Sequence, residues 1–164
     1  LPFYGAYLAV WTSFAALALL ADTGVHHAVE RWAWLGQRPG LVLGTTLTLA
    51  GLYQLSPLKD ACLRGCRSPL GTIAQHYRSG AAGAWRVGVR HAVSCLGCCW
   101  ALMLVMFAAG VAVLWWMAAL TAVMVYEKTG RHGRALTPVI GVVLLVLGVL
   151  AFAYPVFSAP LESR

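Results

Sequence analysis

The sequence predicts an all-α protein that crosses a membrane about five times and forms a single membrane domain over residues 1–164. Of the 164 residues, 60% are hydrophobic and only 10% are charged, whereas soluble domains are about 45–50% apolar and about 25% charged. The mean hydropathy is +0.75. A soluble fold of this length could not bury so much apolar surface. The bilayer is therefore the predicted solvent for most of the chain.

Stretches without charged residues indicate where the spans lie. A helix needs about 20 apolar residues to cross the hydrocarbon core, and charge-free stretches cover residues 3–21, 39–58, 91–126 and 135–161. The third stretch would form a helix of about 54 Å, which is too long for one span. We therefore predict a tight hairpin near Gly110, which gives about five transmembrane helices. In the last span, two glycines seven residues apart predict a close helix contact.

Basic residues predict the orientation of the chain. The connection over residues 59–92 is strongly basic, and so is the connection over residues 128–134. A hairpin near Gly110 places both on one side, as the positive-inside rule prefers. We therefore predict a bacterial cytoplasmic (inner) membrane protein with its N-terminus inside and its C-terminus outside. Short interfacial helices are expected in the first connection, with lipid headgroups contacted by Lys59, Arg64, Arg67 and Arg90.

The formal net charge of +7 is explained by these basic connections, so no binding of nucleic acid is expected. The sequence also contains no hydrolase triad, no phosphate-binding loop and no dinucleotide fingerprint. We therefore expect a protein that is not an enzyme.

The cysteines form two groups with helical spacing. Cys62 and Cys66 are four residues apart, and Cys95, Cys98 and Cys99 share the face of one turn. The first group follows the second span and the second group lies where the third span starts, so we expect all five thiols at the same membrane surface. Thiolates are soft donors that favour Cu(I), Zn(II) or iron–sulfur clusters. This pattern predicts a metal site for copper, with zinc as the alternative, although cysteine also packs as a small apolar residue.

Three further residues are weaker candidates for the same site. His91 lies one helical turn before Cys95, and Met103 and Met106 continue the helical face beyond Cys99. Thioethers are soft ligands as well, so thiols followed by methionines form a plausible path for Cu(I). Methionine in an apolar helix serves packing more often than metal binding.

Two blocks of the sequence resemble one family. They are YQLSPLKDACLRGCRSP over residues 53–69 and CLGCCWALM over residues 95–103, followed by Glu127-Lys128. These blocks resemble those of the bacterial predicted metal-binding integral membrane proteins, whose patterns are YQ-x-x-PLK-x-x-CL-x-x-CR-x-P and CLGCCW-x-LM. The resemblance implies a multi-span membrane protein in which the five cysteines bind metal.

The chain departs from that family at two places. Trp11 is not followed by the methionine-rich stretch that is expected in the first span, and Ala112 stands where a methionine is expected. Two interpretations follow if those methionines handle metal in relatives. The chain has kept a metal site without a complete path, or it has kept only the fold.

The sequence leaves different functions open. We favour an integral membrane metal-handling protein that binds Cu(I) through cysteine clusters. The alternative is a small accessory subunit of a larger membrane complex, in which the cysteines are structural. A thiol redox protein is less favoured, because a disulfide between the adjacent Cys98 and Cys99 would be strained. The predicted partners are the lipid bilayer, a metal ion and a membrane protein or complex.

Overall fold

The chain folds into α-helices, and the prediction of an all-α protein is confirmed. The computed structural model describes residues 2–32, 34, 38–68, 71, 80–108 and 114–153, among which no strand occurs. Six helices lie within these ranges. They are α1 (Pro2–Arg31), α2 (Pro39–Gln54), α3 (Pro57–Arg67), α4 (Ala81–Ala108), α5 (Leu114–Thr129) and α6 (Gly133–Ala153).

Fewer helices than predicted are long enough to cross a membrane. Among the described residues, α1, α4 and α6 have the required length and composition, and α2 with α3 would form a fourth span with a 67° bend. The structure thus contains three or four candidate spans rather than five. The helices α2 and α5 have 16 residues each, which gives about 24 Å against a hydrocarbon core of about 30 Å.

The bend between α2 and α3 has a local cause. Pro57 occupies the first turn of α3, where its missing N–H costs nothing, and Ser56 caps the helix. The Ser56 hydroxyl oxygen accepts a hydrogen bond from the backbone N–H of Lys59 at 3.2 Å. The chain therefore starts a new helix immediately after α2, and this new helix packs across the middle of α4 and the end of α5.

The helices α2 and α6 are packed closely through glycines. A Cβ atom on Gly51 would lie 2.8 Å from the carbonyl oxygen of Gly141, and one on Gly148 would lie 2.5 Å from the Thr48 hydroxyl. Small residues let two helix backbones approach in this way. The predicted close contact at Gly141 and Gly148 is confirmed, and its partner is α2.

Adding one methyl group at this contact is expected to destabilise the fold. Gly51→Ala should lower the free energy of unfolding by about 1–2 kcal/mol, because overpacking outweighs the gain in helix propensity. Gly24→Ala is the matched control, because a Cβ there meets no described atom within 4 Å. Thermal unfolding in detergent, followed by helical circular dichroism, measures both. Equal melting temperatures for the two variants would contradict the close contact.

The long helix α4 lies at the centre of the fold. Its first half packs on α1, where a Cβ on Gly88 would lie 2.6 Å from the carbonyl oxygen of Phe3. Trp85 likewise lies beside Gly5, so the two helices begin at the same end and run parallel. Its second half enters a core of buried apolar residues from four other helices, which includes Leu43, Leu47, Leu63, Leu120 and Leu144.

The helices α4 and α5 run antiparallel, as a hairpin requires. Lys128 near the end of α5 lies 3.8 Å from the Cys99 sulfur, and only five residues join the two helices. A parallel arrangement would separate Ala108 from Leu114 by about 34 Å, whereas the linking chain reaches about 21 Å. The predicted turn at Gly110 itself lies outside the described residues.

Candidate metal centre

A buried ion pair joins four helices beside the cysteines. The Lys59 ammonium donates to the Glu127 carboxylate at 2.8 Å and also to the carbonyl oxygen of Cys98. The Gln54 amide donates to the other Glu127 oxygen at 2.9 Å. Lys59 and Glu127 are each 1% exposed. Buried charges are tolerated only when paired and hydrogen-bonded, and this network provides such partners from α2, α3, α4 and α5.

The burial of Lys59 corrects a prediction, because this residue was expected to contact lipid headgroups. Its side chain instead points inwards from α3 to Glu127. Arg67, from the same prediction, donates to the carbonyl oxygens of Glu127 and Gly130 at 2.6 and 2.8 Å and caps the end of α5. Arg64 and Arg90 are exposed, so their contact with headgroups stays a prediction.

Two thiols from different helices meet beside this network. The sulfur atoms of Cys66 on α3 and Cys95 on α4 are 3.0 Å apart. Cys66 is half-buried, while Cys95 is buried together with Cys98 and Cys99. The thiols of Cys98 and Cys99 donate to the carbonyl oxygen of Cys95 at 3.0 and 3.1 Å. The structure therefore brings four of the five predicted cysteines to one place.

The helix that carries three of these thiols begins earlier than the sequence predicts. The charge-free stretch predicts a start near residue 91, and the location of the thiols at the membrane surface stays a prediction. The helix α4 instead begins at Ala81, so Cys95 follows about 21 Å of helix. Residues 81–92 pack on α1, which approaches small residues on this segment at close range, as at Gly88.

Cys62 is placed differently from the other thiols. Its sulfur packs against Gly97, where an added Cβ would lie 2.6 Å from it. The Tyr53 hydroxyl donates to the carbonyl oxygen of Gly97 at 2.6 Å, which holds α2 against the same turn of α4. Cys62 therefore has a packing contact between α3 and α4, whereas Cys66, one turn further along α3, has a thiol contact.

The weaker candidates surround the thiols. The Nε2 atom of His91 lies 3.5 Å from the Cys95 sulfur. Its ring stacks with Phe3 and Tyr7 of α1 at centroid distances of 6.2 and 6.3 Å. Among the described atoms, His91 Nδ1 is buried without a hydrogen-bond partner. Met103 and Met106 are half-buried beyond Cys99 and pack against the apolar core.

Sequence reasoning did not assign Glu127 or Lys128 to the site. Lys128 places its ammonium 3.8 Å from the Cys99 sulfur, where a positive charge balances that of a thiolate. The sequence does single out Glu127 and Lys128, because they are the only charged residues between Arg90 and Arg131. The predicted hairpin folds α5 back along α4, but no local pattern specifies which face of α5 meets Cys99.

The donor set is small. Within the described ranges, no three side chains of His, Cys, Asp and Glu form a preformed metal-binding group. The closest arrangement is the thiol pair of Cys66 and Cys95 with His91 nearby. Structural zinc sites use four ligands, whereas Cu(I) is a soft ion that is stable with two or three sulfur ligands. The contact between Cys66 and Cys95 by itself offers two sulfur donors, a number that suits Cu(I).

Comparison with known families favours copper. A family model described as PpoB2, a copper chaperone, matches residues 1–151. The chain belongs to the PpoB2 copper chaperone family. No curated protein and no solved structure has a significant match to the chain. The predicted metal-binding family and the preference for copper are thereby supported, and the match extends over the five cysteines and the buried ion pair.

Membership of a copper chaperone family gives the thiol pair a chemical context. A chaperone must bind its ion and release it again, so its ligands are few and exchangeable. Cys66 and Cys95 come from two separate helices, and more thiols lie within one turn on α4.

Proposed function

We propose that the protein is an integral membrane copper chaperone that holds Cu(I) between α3 and α4. The contact of Cys66 with Cys95 at 3.0 Å carries this proposal. Sulfur atoms this close on different helices, beside two further thiols, provide the soft donors that select Cu(I). The buried pair of Lys59 and Glu127 supports the site, because Lys59 holds the backbone of Cys98 in place.

The five cysteines have different roles in this proposal. Cys66 and Cys95 bind the ion first. Cys66 is half-buried and can meet an incoming ion, and its sulfur contacts that of the buried Cys95. Cys98 and Cys99 receive the ion next, because both lie one turn further along α4. Lys128 balances the negative charge that Cys99 gains when its proton leaves. Cys62 contributes packing against Gly97 rather than metal binding.

We further propose that α2 and α5 cross the membrane as well, which gives five spans with the thiols nearer the cytoplasmic side. Two observations support this arrangement. Arg67 binds the end of α5, and Arg134 at the start of α6 binds Asp60 of α3 at 2.8 Å. The two basic segments thus meet at one end of the bundle, as the positive-inside rule favours for a cytoplasmic face.

Copper content tests the proposed function directly. The protein purified from native membranes should contain about one copper per chain, held by soft sulfur ligands. Substituting all five cysteines with serine should remove that copper while circular dichroism stays helical. Elemental analysis of both proteins gives the result. Equal copper in the two proteins, or zinc in place of copper, would overturn the proposal.

A further inference from the structure

The methionines of this chain are confined to two neighbouring helices. The chain has four methionines, of which Met103 and Met106 lie on α4 and Met117 and Met124 lie on α5. The apolar helices α1, α2 and α6 contain none, although methionine would fill gaps there equally well. All four thioethers therefore lie on the two helices that meet beside Cys99.

On α4, the thioethers continue the face of the last thiol. With 100° of rotation per residue, Cys99, Met103 and Met106 lie within about 60° of one another. Met103 is about 6 Å and Met106 about 10 Å beyond Cys99 along the axis. Both side chains are half-buried and pack against the core. This stripe leads away from the basic end of the bundle.

On α5, the thioethers share the face that meets Cys99. Lys128 is on that face, since its ammonium is 3.8 Å from the Cys99 sulfur. Met124 and Met117 lie within about 40° of Lys128 around the helix. Met124 is 8% exposed and belongs to the buried core. Helix geometry thus places the α5 stripe on the side of α5 that carries Lys128, towards α4.

The antiparallel register brings these stripes to the same height. Lys59 contacts both the Cys98 carbonyl and Glu127, so residues 98–99 are level with residues 127–128. One turn beyond residues 98–99 towards the end of α4, and one turn before residues 127–128 on α5, lie Met103 and Met124. Each is displaced by about 6 Å along its helix axis. Met106 and Met117 follow at about 10 and 16 Å.

We propose that Met103 and Met124 form a thioether site for Cu(I) between α4 and α5, one turn beyond the thiols. The inference rests on the proposed function, because the ion must first be held by the cysteines. Cu(I) passes to the site by ligand exchange, in which the copper–sulfur bond to Cys99 breaks as bonds to the thioethers form. The oxidation state does not change. Lys128 balances the charge of the thiolate that remains, and Met106 and Met117 extend the path.

X-ray absorption at the selenium edge tests this site in the full chain. In selenomethionyl protein, selenium occurs only at the four methionine positions, so the cysteine sulfurs do not contribute. Titration with Cu(I) beyond the capacity of the thiols should produce copper in the first shell of selenium. Combining Met103→Leu with Met124→Leu should remove this copper, and this substitution conserves side-chain volume.

A swap of neighbouring residues is the matched control. Met103→Leu with Leu104→Met keeps composition and volume but moves the thioether by about 100° around α4. The swapped protein should lose the copper–selenium shell and keep its cysteine-dependent copper. If the thiols bind Cu(I) but no copper is found beside selenium, the thioether site is overturned and the proposed function stands. A native protein that binds no Cu(I) at all overturns both.

Discussion

Glu127→Leu, with Lys59 retained, is expected to lower the free energy of unfolding by about 3–5 kcal/mol. The substitution leaves a lysine ammonium that is 1% exposed with the Cys98 carbonyl as its remaining acceptor. It also removes the acceptor of the Gln54 amide. A buried charge without its counter-charge is among the largest single penalties in a folded protein. Unfolding of the detergent-solubilised chain in a denaturing detergent, followed by circular dichroism, measures the change.

The double substitution Glu127→Leu with Lys59→Met provides the control. Removing both charges leaves apolar side chains of similar size, so most of the lost stability should return. The exposed pair of Arg64 and Asp60 gives a second comparison, since its side chains are 57% and 40% exposed. Arg64→Gln, which leaves the contact of Asp60 with Arg134 intact, should therefore cost less than about 1 kcal/mol. Additive losses for Glu127→Leu and Lys59→Met would show that the two charges are not coupled.

Much of the fold follows from apolar patterning. Long charge-free stretches predict α1, α4 and α6, and the glycine spacing predicts that α6 packs closely on another helix. The number of spans does not follow in the same way. The stretch over residues 39–58 has enough apolar residues for a span, but Ser56 and Pro57 begin a new helix and shorten α2. A local capping signal thus competes with hydropathy.

The sequence predicts which cysteines contribute to the candidate site, but it does not predict which of them contact one another. The spacing within each cysteine group depends only on helix geometry, so it is visible in the sequence. Whether Cys62 or Cys66 meets Cys95 depends on the rotation of α3 against α4. That rotation is determined by distant contacts, in which Gly97 receives the Cys62 side chain and Lys59 reaches Glu127. Charged residues at the predicted ends of spans were assumed to face lipid headgroups, which overlooked this pair.

Single cysteine substitutions should separate metal ligands from packing residues. Cys66→Ser or Cys95→Ser is expected to lower the affinity for Cu(I) about 100-fold or more, because changes even to residues behind a ligand cost about 10–100-fold. Serine keeps the size of the side chain but offers a hard oxygen donor that Cu(I) disfavours. Cys62→Ser is the matched control on the same helix, and it should change the affinity by less than about threefold. Competition with a chromophoric Cu(I) chelator measures all three affinities.

The comparison is informative because Cys62 and Cys66 share one face of α3 and differ by a single turn. If both bound the ion, their substitution would weaken binding equally, and α3 would have to rotate away from Gly97 to bring Cys62 to the metal. The contact of Cys62 with Gly97 opposes that rotation, and so does the hold of Arg67 on the end of α5. Equal losses for Cys62→Ser and Cys66→Ser would therefore mean that the copper-bound protein packs α3 on α4 in a different register.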